Sequence, residues 1–452
     1  MLKTISDDNS AIFALKYFQA YPNLLSSTPL DTELVKVSQV CKAWRELVLQ
    51  RGTVRKRIKQ LFESRLEANF RRILAWKFDT VDDIMVLCYT LRFEREGAVY
   101  GWGSEPERQP NFPARNAQSL PTEITKFRTV ADIVAGHHAS FVVKDARLKA
   151  IGFNAFDRLG LKYSGPPQVT YPSSVGVPPI KSLANSSSVS FAVDLSGRLW
   201  SWGDNQSGTL GRNHQGSGDE MIYDGKPLMI DTLKNCKIKQ VACGGQHACC
   251  LTTDGVVFTW GHKDFVGQGE LDSDVGVPKK LDIEKICQIS CGVEHTLLLS
   301  ADKKTVWAFG SNCHGQLGQG PEIRCEKTPA KVPFFGEKII LKLQCYGDDS
   351  AILSADGQIK LWGRFWNSGN RDSPRLVNIQ RFVDISMGNC FMLALTSDNR
   401  LYAFGRNNHG QCGQGSTSEF IDKLVEVKNL DNLHIKQISA GYDHCLIKCA
   451  KI

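Results

Sequence analysis

Four histidines recur in similar company. The stretches AGHHASFVV, CGGQHACCLTT, CGVEHTLLLS and AGYDHCLIK set His138, His247, His295 and His444 shortly after a glycine and before an apolar run. An imidazole so placed could be a general base or a metal ligand. Repetition at one place in successive segments is instead what a packing role produces, with each ring bonding backbone across its turn. His137 and His138 are adjacent, so on a strand they point to opposite faces and cannot chelate together. The fifteen cysteines contain no C-x-x-C pair. Cys287/Cys291 and Cys445/Cys449 are four apart, but on strand-like runs with no second ligand pair nearby. Cys243, Cys249, Cys250, Cys291 and Cys345 read as small buried side chains of a reduced protein. No G-x-S-x-G, P-loop or His-Glu-x-x-His occurs. The sequence therefore implies no catalytic residue, metal or cofactor, and points to a binding protein.

The elements that carry these histidines come in a period. Aromatic-or-apolar-plus-glycine strand ends fall at Trp102-Gly103, Ile151-Gly152, Trp202-Gly203, Trp260-Gly261, Phe309-Gly310, Trp362-Gly363 and Phe404-Gly405. The glycines are 49, 51, 58, 49, 53 and 42 residues apart, the range of propeller blades. Each period holds a glycine turn with an apolar strand, a tight hairpin turn, then the Trp-Gly strand and a polar, glycine-rich loop. The hairpin turns include Thr253-Asp254-Gly255 and Ala355-Asp356-Gly357, where Asp-Gly suits positive φ at both central residues. The loops include 205–211, 312–318 and 407–413 (NQSGTLG, NCHGQLG and NNHGQCG), with 154–160 a weaker copy.

These residues resemble the repeat of the RCC1 family, G-x-x-H-x-x-x-L followed by D-G-x-V-y-x-W-G-x-N-x-x-G-Q-L-G. The resemblance covers about 350 residues. Val189 and Asp349 stand where the repeat has histidine, and the loop after Gly363 lacks Gln-Leu-Gly. Glycine-turn strands number seven, beginning near Ala135, Asn185, Gly244, Gly292, Tyr346, Gly388 and Gly441, and Trp-Gly strands also number seven. The array opens with a Trp-Gly strand and closes with a glycine-turn strand, so the two ends complete one blade. The fold class expected for residues 96–452 is mainly β: a seven-bladed propeller of four-stranded antiparallel sheets. Closure of this kind leaves no free sheet edge.

Residues 1–95 have a different texture, rich in Leu, Lys, Arg and Glu. In Thr32–Gln50 the residues Leu34, Val37, Val40, Cys41, Trp44, Leu47 and Val48 recur at threes and fours, the face of an amphipathic helix. Further helices are expected over Val54–Phe70 and Val81–Phe93. The stretch Ser38–Leu47, SQVCKAWREL, after PLDTELVKV, resembles the second half of an F-box. That resemblance covers about 30 residues and lacks the usual Leu-Pro-x-Glu opening. It implies docking on a Skp1-type adaptor of a cullin ubiquitin ligase, through Leu34, Val37, Val40, Cys41, Trp44 and Leu47. The basic run from Arg51 to Arg72 is interleaved with Glu63 and Glu67 and has no aromatic platform, so it reads as a solvated face rather than a nucleic-acid site.

The net charge of +8 does not by itself argue for nucleic acid, and no apolar run is long enough to span a membrane. A place in the cytoplasm or nucleus, as a monomer apart from its complex, is expected. The segment Arg212–Lys234 is the longest between repeats; its Met221, Ile222 and Tyr223 are candidate contacts, as are Phe365 and Trp366 in the irregular loop after Gly363. An idle loop fits Arg212–Lys234 equally well. Three functions follow from the resemblances: a substrate-recognition adaptor of a Skp1–cullin–F-box ligase, a guanine-nucleotide exchange factor for a Ran-like small GTPase, or a plain interaction scaffold. Deleting the last ten residues is expected to abolish the cooperative thermal transition of the propeller, while a chain without residues 1–90 keeps it; circular dichroism melting distinguishes the two.

Overall fold

The computed structural model describes residues 98–104, 118–127, 130–144, 147–161, 168–212, 223–333, 338–364, 371–377 and 381–451. The expectations for residues 1–95, including Leu34, Val37, Val40, Cys41, Trp44 and Leu47, and those for Met221, Ile222, Phe365 and Trp366, lie outside these residues.

Among the described residues, seven four-stranded antiparallel sheets follow one another as blades. The first blade comprises Asp132–Ala135, Ala139–Lys144, Arg147–Phe153 and Gln168–Ser174, in sheet order. Blades two to six repeat this plan, with first strands Ile180–Asn185, Ile238–Cys243, Ile286–Cys291, Ile340–Tyr346 and Phe382–Gly388. First strands of successive blades contact one another, so they form the inner wall of the ring. The seventh blade joins distant parts of the chain. Leu433–Ala440 and His444–Lys451 supply its inner half, and Ala98–Gly103 and Gln118–Glu123 its outer half. Ala98 faces Cys449 and Gly103 faces His444 across this junction. The expected seven-bladed closure is what the structure shows.

Second strands such as His247–Thr252 and His295–Ser300 are buried along their whole length, because each blade is sandwiched between two others. Outer strands such as Cys325–Lys331 are largely exposed and polar. The hairpin turns differ from expectation. Gly255 has φ +85° and Gly357 φ +78°, while the aspartates before them stay at negative φ. Gly255 N–H bonds Thr252 O at 3.1 Å, a type I turn followed by one left-handed residue. That geometry requires one permissive residue instead of two, and Asn399 and Lys303 occupy the same place in the sixth and fourth blades.

Three sets of bonds tie the blades together. First, buried tryptophans of the third strands donate to the loop of the preceding blade: Trp202 Nε1 to Arg158 O (2.8 Å), Trp260 Nε1 to Thr209 O (2.7 Å), Trp362 Nε1 to Gln316 O (2.8 Å) and Trp102 Nε1 to Gln411 O (2.8 Å). Second, side chains of the inner strands grip the next inner strand. Gln240 accepts from Ile289 N–H and donates to Ile289 O, Gln288 does the same with Leu343, and Gln437 with Ile133. Two residues after Gln288 and Gln437, Ser290 and Ser439 accept from Cys345 and Ala135 N–H, and Ser386 at the same strand position accepts from Ala440 N–H. The pairs to Ile133 and Ala135 close the ring with the bonds used elsewhere in it. Third, His247 Nε2 lies 2.8 Å from Thr296 Oγ1, His295 Nε2 2.8 Å from Ser350 Oγ and His444 Nε2 3.1 Å from Ser140 Oγ.

The histidines thus bond a hydroxyl of the next blade, and not the backbone of their own turn. His138 is not one of them: Ala139 pairs with Gly152 as His247 does with Gly261, and His138 sits in the turn at φ +56°. The glycine three residues before each packing histidine has a steric cause. A Cβ on Gly292 would overlap the His295 ring and stand 2.6 Å from Gly347 O. Where the second and fifth blades carry Ser186 and Tyr346 instead of glycine, the packed ring is absent too, replaced by Val189 and Asp349. Gly292→Ala is expected to cost about 1–3 kcal/mol by overpacking. Gly176→Ala, with nothing within 4 Å of its Cβ, should stay within about 0.5 kcal/mol of the parent in urea unfolding.

Candidate protein-docking face

The turns between first and second strands and the loops after the third strands emerge on the same end of the ring, since each third strand pairs with the second strand that leaves the turn. The turns are chained to one another. Gly245 N–H bonds Val293 O (2.8 Å), Val293 N–H bonds Gly347 O (2.8 Å), Tyr442 N–H bonds Gly136 O (3.2 Å), and His137 N–H bonds Asn185 Oδ1 (3.0 Å). Backbone that would otherwise be exposed loop is thereby held rigid. A cavity of about 580 Å³ opens among the turns and loops of the fourth to seventh blades, with Glu294, His314, Asp348, Arg364, Arg406 and Tyr442 among its lining residues.

Its charges repeat. The residue just before the packing position is acidic in three blades: Glu294, Asp348 and Asp443. Asp348 Oδ2 lies 3.6 Å from Arg364 Nη1 and 3.8 Å from His314 Nε2. Asp443 meets Arg406 at 3.3 Å and His409 at 3.9 Å. In both, a turn carboxylate meets a histidine from the preceding blade's loop and an arginine that follows a third-strand glycine, Arg364 from the carboxylate's own blade and Arg406 from the preceding one. Arg406 and Asp443 are mostly buried, whereas half of the Arg364 side chain is exposed. Exposed pairs contribute little to stability, so Arg364 is available for contacts with a partner.

The first blade's side of the mouth is different. The rings of His137 and His138 pack at a tilt against Tyr442, with centroids 4.2 and 4.9 Å away. Arg158 Nη1 donates to His137 O at 3.0 Å, and burial pulls this guanidinium down to about 10. Burial, with His138 and Arg158 adding to it, holds His137 down to about 3. Both histidines lie in a turn and not on a strand, so the opposed-face argument does not apply to them. Among the described residues no group of three or more His, Cys, Asp or Glu is placed to hold a metal ion.

Of the sequence candidates, Tyr223 is described. It begins the outer strand Tyr223–Met229 of the second blade, pairs with Asp204 at the loop end, and is half exposed. The second half of Arg212–Lys234 is therefore regular blade structure and not an inserted loop. The mouth residues Asp348, Arg364, Arg406 and Asp443 were not singled out by the sequence reading. The signal available was an acid before the packing position and an arginine after Trp-Gly or Phe-Gly.

The buried histidines make the ring acid-sensitive. Burial first, then a neighbouring histidine, lowers His295 and His444 to about 3, against about 6.5 in an unfolded chain. Below pH 6.5 the unfolded state binds protons that the folded state refuses, so stability falls as pH drops toward 3. Between pH 6.5 and 5 each should cost about 1–2 kcal/mol. Urea midpoints across that window test this, and His295→Gln should flatten the slope.

Residues 196–251, 254–299, 305–352 and 398–447 match the family described as Regulator of chromosome condensation (RCC1) repeat, and 238–268, 286–316 and 382–411 match a second form of that repeat. The chain is 28% identical over 399 residues to the E3 ubiquitin-protein ligase HERC2 of Homo sapiens, which covers 83% of this chain but 8% of HERC2. It is 27% identical over 366 residues to the Ultraviolet-B receptor UVR8 of Arabidopsis thaliana, covering 76% of this chain and 81% of that one. Among solved structures, human WBSCR16 superposes with a TM-score of 0.69 at 20% identity, over 79% of this chain and all of that one. Prp20p of Saccharomyces cerevisiae, described with its binding to Gsp1p and histones, gives 0.68 at 18% identity over 79% and 92%. These structural likenesses speak to the fold.

Proposed function

Because the chain carries RCC1 repeats closed into a seven-bladed propeller, we propose that it is a non-enzymatic recognition adaptor. Its propeller mouth holds a target protein, and its F-box-like segment recruits a Skp1-type adaptor and cullin ligase. One observation carries the recognition half: two Asp–Arg–His clusters fixed on rigid turns around one cavity. Such groups exchange contacts with each other for contacts with charged side chains of a partner, which gives orientation and specificity. The recruitment half rests on Ser38–Leu47 and is supported by the ligase relative HERC2, of which this chain matches a small part. Helix-in-groove docking would use Leu34, Val37, Val40, Cys41, Trp44 and Leu47.

The full chain should retain Skp1 at micromolar concentration, and Trp44→Ala should remove that binding without moving the propeller's melting temperature. Absence of Skp1 binding by the parent chain would sink the recruitment half. A second reading is favoured by the likeness to Prp20p: exchange on a Ran-like GTPase. Nucleotide release accelerated by catalytic amounts of this chain would put that reading first.

A further inference from the structure

We propose that Cys291 and Cys249 form an oxidisable dithiol, which hydrogen peroxide converts to a disulfide stapling the third blade to the fourth. Cys291 ends the inner strand Ile286–Cys291 and is half-buried, while Cys249 is buried on the second strand His247–Thr252 of the neighbouring blade. Their sulfurs stand 3.4 Å apart, which is van der Waals contact. The fold brings them into contact although they lie 42 residues apart in sequence.

The surroundings divide the pair into two roles. Thr296 Oγ1 is 3.5 Å from Cys291 Sγ and is itself bonded to His247 Nε2 at 2.8 Å. The other His247 nitrogen, Nδ1, is buried without a hydrogen-bond partner. Burial pushes the Cys291 thiol up, but bonding with Cys249 and the neighbouring His247 and Thr296 outweigh it and hold it below its ordinary range. The bond to Cys291 and burial push Cys249 the other way. The thiol of the half-buried residue is therefore the nucleophile and that of the buried one the resolving group, as thiolate character dictates.

The chemistry balances with one peroxide. The Cys291 sulfur attacks a peroxide oxygen, the O–O bond breaks, and the thiol proton leaves with the departing hydroxide as water. Cys291 is then a sulfenic acid. The Cys249 sulfur attacks it, the S–O bond breaks, and the Cys249 proton leaves with that hydroxide as a second water. Two thiols are oxidised by two electrons in all. The competing neighbours are Cys243 and Cys345, which lie at or one residue before the ends of the inner strands on either side and interact electrostatically with Cys291.

The test treats the full chain with hydrogen peroxide, blocks residual thiols with N-ethylmaleimide, and maps peptides by mass spectrometry without reduction. The expected product is a Cys249–Cys291 cross-link that dithiothreitol reverses. Cys249→Ser should instead accumulate a dimedone-reactive sulfenic acid at Cys291, Cys291→Ser should lose both products, and Cys243→Ser should keep the cross-link. A folded parent chain that gives no cross-link, or one joining Cys291 to Cys243 or Cys345, overturns the assignment. The parent-chain result decides by itself if a variant fails to fold.

Discussion

Each buried indole in the ring is satisfied by an atom that belongs to another blade. Trp202, Trp260, Trp362 and Trp102 donate to carbonyls of the loops that follow the third strands of the first, second, fourth and sixth blades. A buried donor left unpaired costs about 1–3 kcal/mol, so each of these four blades depends on the one before it. The loop is shaped by the same contact. Gly211, Gly318 and Gly413 turn at φ of +66° to +70°, against the next tryptophan, at the point where a side chain would strike the indole. The two most recognisable pieces of the repeat, Trp-Gly and the closing glycine of its loop, are the two sides of one joint.

The inner wall repeats this logic. Gln240, Gln288 and Gln437 bond both polar groups of a residue in the next strand, and Ser290 and Ser439, two residues after the last two of them, bond a third, as Ser386 does from the sixth blade. Neighbouring inner strands are not joined in one sheet, so these side chains do for them what a backbone ladder would do. Glycine in the turn lets a histidine of the second strand lie flat and reach the following blade. Closure of the ring uses no special device: Gln437, Ser439 and His444 bond the first blade as their counterparts bond theirs.

This construction frees the loop end for recognition. The turns are fixed by one another, and the groups around the cavity are held on them. Variation there does not disturb the joints beneath. Glu294, Asp348 and Asp443 share one repeat position, yet Gln246 and Cys390 occupy it in other blades without loss of the sheet. The identity of the side chains at the mouth is thus decoupled from the fold, as binding sites grafted on a repeat scaffold require.

Strand recurrence, blade count and the split blade were legible in the sequence, because each rests on local alternation, glycine turns and a spacing that can be counted. The role of His295 as packing was legible, but its partner was not. Ser350 lies 55 residues away, and no local pattern names it. His138 was expected at the packing position, yet Ala139 fills it: Gly136 N–H bonds Ala139 O as Gly244 N–H bonds His247 O, three residues on in both turns. The clusters at the mouth and the thiol pair belong to the same class. Asp348 meets His314, and Cys291 meets Cys249, only because the ring sets one blade beside the next. The sequence determined what each blade is; the tertiary structure decided which polar groups face each other, since pairing between blades depends on their register around the ring and not on any neighbour along the chain.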